Sequence, residues 1–148
     1  MIVSPDHHIY NDQGVYEWTP ERAAYAWRLC RTITQEFLEA FESVFILVGP
    51  PGCGKSTWIA QNASGDHIYV DATFTDKGSR KTYIKMAQEM GKPIIAVVFQ
   101  TPLEVCQERN ATRSEDRRIP DETIEKMYLR LQNRPVKPTD GFTKIIYV

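Results

Sequence analysis

The amino-acid sequence predicts an α/β fold, a parallel sheet between two layers of helices, and three observations carry that reading. The runs Val44 to Val48 and Ile94 to Phe99 are apolar at every position, as in parallel strands covered on both faces. Segments with apolar residues at helical spacing alternate with such runs along the chain. A glycine-rich stretch, Gly49-Pro-Pro-Gly-Cys-Gly-Lys-Ser56, joins the first run to a helical segment, where α/β sheets place their ligand loops.

Each element can be justified in order. Met1 to Val3 is a short strand ending at Ser4-Pro5-Asp6, and a polar, aromatic stretch follows to Trp18. Thr19-Pro20 reads as a helix start, with threonine at the cap and proline at the first helical position. Ala23, Trp27, Cys30, Phe37 and Phe41 share one helical face, so this helix should run to about Phe41. Val44 to Val48 and the glycine-rich stretch lead to a helix from about Lys55 to Asn62. Ala63-Ser64-Gly65-Asp66 is turn chemistry before the strand His67 to Val70. Ser79 to Met90 is helical and Gly91 closes it. After the strand Ile94 to Phe99 come a helix from Pro102 to about Asn110 and a charged segment from Ala111 to Arg118. Pro120 opens a last helix with Ile124, Met127 and Leu131 on one side; Pro135 and Pro138 stop it, and Phe142 to Val148 is the closing strand.

The 148 residues suit one domain, spanning 1–148, with no internal repeat or linker. Apolar residues make up 42% and charged residues 25%, ordinary for a globular protein, and the net charge of -1 excludes a uniformly basic nucleic-acid coat. It leaves room for a local basic groove among the 18 lysines and arginines. Cys30, Cys53 and Cys106 show no metal-binding spacing, no run is long and apolar enough to cross a bilayer, and the first residues lack the pattern of a signal peptide. The expectation is a cytoplasmic protein without a membrane or an obligate protein partner.

The glycine-rich stretch matches G-x-x-x-x-G-K-S/T in full, in the strand-to-helix setting the motif requires. This P-loop pattern makes Gly49, Gly52, Cys53 and Gly54 the cradle of a nucleoside triphosphate. Lys55 supplies charge to the β- and γ-phosphates, the Ser56 hydroxyl binds Mg²⁺, and Thr57 supports the α- or β-phosphate. ATP and Mg²⁺ are the expected cofactors.

Beyond the cradle the sequence resembles the P-loop polynucleotide 5′-kinase family of phage and animal type. Val70-Asp71-Ala72-Thr73 with Arg80 is similar to the family's Asp-x-Thr-Asn segment and its trailing arginine. Val98-Phe99, Pro102-Leu103-Glu104, Arg109-Asn110 and Arg113 resemble its strand, helix and lid; Arg118-Ile119-Pro120 and Gly141-Phe142 resemble its ending. Ser4-Pro5-Asp6, followed by Tyr16-Glu17-Trp18-Thr19, looks like the strand end that carries the family's general base. The resemblance implies a three-layer kinase fold with a five-stranded parallel sheet and an arginine-bearing lid. It also implies transfer of the γ-phosphoryl group of ATP to a nucleic-acid hydroxyl, with DNA favoured over RNA, in the host cytoplasm if the gene is a phage's.

The order of units departs from the family, in which the cradle comes first and the Asp-bearing strand second. Here Asp6 precedes the cradle, as though the first two strand–helix units had exchanged places. Right-handed crossovers permit the exchange and leave each helix on its face, with Met1 to Val3 beside His67 to Val70 and one strand from Val44 to Val48. The other reading makes residues 1–43 an unrelated cap and Asp6 a turn residue.

The resemblance makes Asp6 the base for the acceptor hydroxyl. Arg109 and Arg113, four apart and so on one helical face, are the lid that meets the charge of the phosphoryl in flight. Arg117 and Arg118 join them, contact an acceptor phosphate, or are solvated beside Glu115 and Asp116. Thr73 and Arg80 are acceptor-side candidates, and Phe74 either stacks on a nucleobase or belongs to the core. Two departures, Ile9 for an arginine and Phe74 for an asparagine, open a second acceptor beside a 5′-hydroxyl: a hydroxymethyl group on a modified pyrimidine of phage DNA, such as 5-hydroxymethyluracil. His7 and His8, adjacent and without further ligand candidates, read as polar lining rather than as a metal or proton-shuttle pair, and Tyr10, Tyr16 and Trp18 line the acceptor groove or pack. A small-molecule kinase and a non-catalytic nucleotide-binding module remain the alternatives.

Overall fold

The computed structural model describes residues 1–148. Five strands, all parallel, form one sheet: β1 (Ile2–Val3), β2 (Ser43–Val48), β3 (His67–Val70), β4 (Ile94–Val98) and β5 (Lys144–Tyr147), in the order β1-β3-β2-β4-β5. The helices are α1 (Pro20–Phe37), α2 (Lys55–Asn62), α3 (Lys77–Glu89), α4 (Leu103–Ala111) and α5 (Asp121–Asn133). The α/β class, the parallel sheet and the place of every strand agree with the sequence reading.

The side chains of each strand alternate between the two layers, as the strand period demands. Val3, Val44, Ile46, Val48, Ile68, Val70, Ile94, Ala96 and Val98 pack with Cys30 and Leu38 from the α1 segment and with Tyr83, Ile84 and Ala87 of α3. Leu47, Tyr69 and Val97 face the other way, onto Ile59 of α2, Cys106 of α4 and Ile124 of α5. α1 and α2 thus lie on opposite faces.

Elements begin and end for local reasons. Thr19 caps α1, its Oγ1 accepting from Arg22 N at 3.1 Å. α1 stops at Phe37, earlier than its periodicity suggests, and tightens into a 3₁₀ turn, Leu38–Ala40, that buries Leu38. α3 starts at Lys77, before the expected Ser79, because Asp76 accepts from Ser79 N at 2.8 Å and so caps it. No helix is long and apolar enough to cross a membrane.

β1 fixes the N-terminus at the sheet edge. Met1 N donates to His67 O, Tyr69 N to Met1 O and Asp71 N to Val3 O, each at 2.8 Å. Val3 pairs with Val70, so Ser4 comes level with Asp71 and its Oγ donates to the Asp71 carbonyl at 3.1 Å. The chain then makes the 3₁₀ turn Pro5–His8 at the C-terminal edge of the sheet. The following stretch closes into a hairpin: Glu17 N donates to Ile9 O at 3.1 Å, Asn11 N to Val15 O at 2.9 Å, and Tyr10 bridges Tyr16. Asn11 Oδ1 turns it by accepting from Gln13 N and Val15 N, both at 3.0 Å.

Candidate active site

β2 ends at Val48 and the chain passes directly into the glycine-rich loop, whose last residue caps α2. Gly52 and Gly54 have φ of +82° and +107°, the left-handed region that glycine enters freely. A Cβ at Gly52 would also lie 2.4 Å from the carbonyl oxygen of Cys106, so the loop packs backbone to backbone against α4. The loop delivers the chain to the N-terminus of α2, where free N–H groups and the helix dipole favour an anion. Lys55 Nζ donates to Gly49 O and Pro50 O, both at 3.0 Å, which keeps its charge against the loop. Cys53 is buried; burial pushes its thiol pKa up although Lys55 pulls it down, and its carbonyl accepts from Thr101 Oγ1 at 2.8 Å. Its side chain packs, and only its backbone belongs to the cradle.

Ser56 Oγ donates to Asp71 Oδ2 at 2.8 Å. This hydroxyl–carboxylate pair fits Mg²⁺, a hard cation that takes oxygen ligands. Asp71 was legible as an aspartate at a strand end, and the expected order sets β3 beside β2, but only the structure shows its carboxylate accepting from Ser56. When bound, the ion would neutralise phosphate charge; Ser56 and Asp71 are the residues that would hold it.

A cavity of about 840 Å³ lies over the C-terminal edge of the sheet. Its walls bring together Asp6 from the turn after β1, Gly52, Gly54, Lys55, Ser56 and Thr57 from the cradle, and Asp71 and Thr73 after β3. Arg109, Arg113, Arg117 and Arg118 line it as well. Residue 6 and residue 55 thus share one cleft, so Asp6 is not on a remote cap. Trp18, Tyr16, Ile9 and Trp27 give the Asp6 side of the cleft an apolar, aromatic wall. His7 and His8 are not among its walls.

The lid is built differently from expectation. α4 ends at Ala111, so Arg113 does not share a helical face with Arg109; it sits in a turn beyond, with its N–H on Asn110 O at 3.1 Å. Both arginines nonetheless reach the cleft, and Arg109 Nη1 donates to Gly52 O at 3.3 Å. Asn110 holds the lid's base. Buried to 1% exposure, it donates through Nδ2 to Ile119 O at 2.6 Å and accepts at Oδ1 from Ile119 N at 3.0 Å, closing residues 111–118 into a loop.

Two acceptor-side expectations are corrected. Phe74 is fully buried, with Trp27 and Tyr83 set edge-on at centroid distances of 5.3 Å and 5.0 Å. It is core, and no base can stack on it. Its φ of +48° is the one left-handed non-glycine conformation in the chain, held by this packing and by Arg80 Nη1 on its carbonyl at 3.0 Å. Arg80, 1% exposed, also donates through Nη2 to Arg134 O at 2.6 Å. It pins the β3–α3 turn to the end of α5 and does not face the cleft; burial lowers its pKa. Thr73 does line the cleft, and its carbonyl accepts from Gly49 N at 2.9 Å.

The sheet order, the glycine-rich cradle, the Ser56–Asp71 pair and the arginine-lined cleft define a P-loop nucleotide-binding domain of the kinase type. The model of a protein family described as AAA domain matches residues 61–134, half of the chain, and the chain belongs to that P-loop family. No curated protein matches the sequence.

Proposed function

We propose that this protein is an ATP-dependent kinase that transfers the γ-phosphoryl group to a hydroxyl of a nucleic acid, DNA rather than RNA. The observation that carries the reading is the meeting of Asp6 with Lys55, Arg109 and Arg113 in one cleft. A module that only held nucleotide would need neither a carboxylate opposite the cradle nor a second set of cations above it. Asp6 is exposed in the cleft wall and makes no ion pair, so its carboxylate is free to accept a proton. Arg109 and Arg113 meet the charge that spreads over the transferring group.

The character of the acceptor follows from the wall beside Asp6. Arg118 adds positive charge suited to a phosphate-bearing chain, while Trp18, 59% exposed, offers a flat apolar surface to a base. With Ile9 buried where the family resemblance sets an arginine, this wall supports a base-borne hydroxymethyl group as acceptor alongside a 5′-hydroxyl. The test is incubation with γ-labelled ATP, Mg²⁺ and 5′-hydroxyl DNA, 5′-hydroxyl RNA, DNA containing 5-hydroxymethyluracil, and free nucleosides. Label is expected in a DNA acceptor and lost in Asp6→Asn. Label confined to the nucleosides would replace this reading with a small-molecule kinase, and none in any acceptor would leave a nucleotide-binding module.

A further inference from the structure

One contact is not used by the proposed chemistry: the stacking of a lid arginine on the N-terminal hairpin. The Arg117 guanidinium carbon lies 3.7 Å from the centre of the Tyr16 ring, and Nη2 donates to Tyr10 Oη at 3.4 Å. The two tyrosines bridge each other across the hairpin with rings edge-on at 6.0 Å. Asp116 is the only acid paired with Arg117, at 4.0 Å and half exposed. A guanidinium over a tyrosine face is attracted by the ring quadrupole, and its plane fits a ring as an ammonium does not.

The place of this contact gives it consequence. The hairpin leaves directly from the Asp6 turn, and Ile9 at its start is buried to 3% exposure. The lid loop is fixed at its base by the Asn110–Ile119 bonds. The hairpin is closed at its base by Glu17 N on Ile9 O and the lid loop by the Asn110–Ile119 pair, and Arg117 on Tyr16 joins the two across the cleft. Tyr16 also feels both sides: burial raises its pKa first, the Asp6 charge raises it further, and Arg117 and Arg113 lower it.

We infer that Tyr16 and Arg117 form a clasp that holds the arginine lid down on the acceptor-side hairpin and so positions Arg113 over the cleft. The inference rests on the kinase reading only for its effect on turnover. Tyr16 and Arg117 are positioning residues: the clasp closes the wall between acceptor and phosphate, and the lid is set when the hairpin beside Asp6 is in place. Binding at the acceptor side is thereby coupled to the residue that stabilises the phosphoryl in flight.

The test has two readouts. A glutamate-specific protease reports lid opening through cleavage after Glu115, a site that arginine substitution leaves intact. Tyr16→Leu should speed that cleavage by about two- to fivefold, the worth of one exposed cation–π contact, Arg117→Ala by somewhat more because it also removes the bond to Tyr10, and the double variant should be no faster than Arg117→Ala. Tyr16→Phe, which keeps the ring, should restore protection relative to Tyr16→Leu. In the labelled-ATP assay both single variants should lower kcat more than they raise the KM for ATP. Multiplying effects in the double variant, or a lid in Tyr16→Leu as protected as in the parent, would overturn the clasp. So would a turnover loss in Arg117→Ala with none in Tyr16→Leu, which would make Arg117 a direct substrate contact. A parent protein that phosphorylates nothing would count against the kinase reading, while the protease result would still decide the clasp.

Discussion

Replacing Arg80 by methionine separates two roles that the sequence alone could not. The resemblance makes Arg80 a clamp on an acceptor phosphate, whereas the structure buries it under two backbone carbonyls, Phe74 O at 3.0 Å and Arg134 O at 2.6 Å. A hydrogen bond from a charged donor contributes about 1.5–3 kcal/mol, so losing both costs roughly 3–6 kcal/mol before offsets. Part of that is recovered, because methionine is not penalised for burial as the guanidinium is, and Arg80 Nε has no partner to lose. The net destabilisation should be about 2–4 kcal/mol, with some strain released at Phe74 as its left-handed turn relaxes. For a domain of this size, that lowers Tm by roughly 5–15 °C. Urea denaturation followed by tryptophan fluorescence measures it, and the labelled-ATP assay run well below Tm should find the KM for DNA unchanged. A variant as stable as the parent but with a KM for DNA raised tenfold would refute the placement of Arg80 and restore its role as an acceptor clamp.

Lys55→Ala should abolish phosphotransfer while leaving Tm without nucleotide nearly unchanged, because Nζ contacts only loop carbonyls and the Cys53 sulfur; full activity would remove the cradle from the mechanism. Arg109→Ala and Arg113→Ala should each lower kcat by about 10²–10³-fold, as for other groups that stabilise transition-state charge, with a smaller change in nucleotide Kd by calorimetry. Asp71→Asn should raise the Mg²⁺ concentration needed for half-maximal activity, since it weakens the carboxylate that pairs with Ser56; an unchanged Mg²⁺ titration would count against that metal site. Burial, and next the Asp6 charge, push the Cys30 thiol from an ordinary 9.0 to about 12, so its neutral form is favoured in the fold. That stabilisation is whole below pH 9 and is lost as pH rises from 9 toward 12; Tm should fall across this window, and Cys30→Ala should flatten the fall.

The sequence by itself determined the layers, the strand positions and the phosphate cradle, because local chemistry encodes each of them. A strand buried on both faces must be apolar throughout, and a loop that turns through left-handed angles needs glycine at Gly52 and Gly54. The place of β1 was implied by the family resemblance, in an arrangement that right-handed crossovers permit but do not demand. What the sequence could not decide was which polar residues point where. Arg80 and Arg113 are both arginines near helix ends, yet one is sealed beneath two carbonyls and the other opens on the cleft. Phe74 offered a ring to a ligand or to the core, and only the packing of Trp27 and Tyr83 against it settled the matter. The Ser56–Asp71 pair and the Tyr16–Arg117 contact join residues far apart in the chain. Such contacts exist only once the sheet order brings their elements together, so the tertiary structure alone decides them.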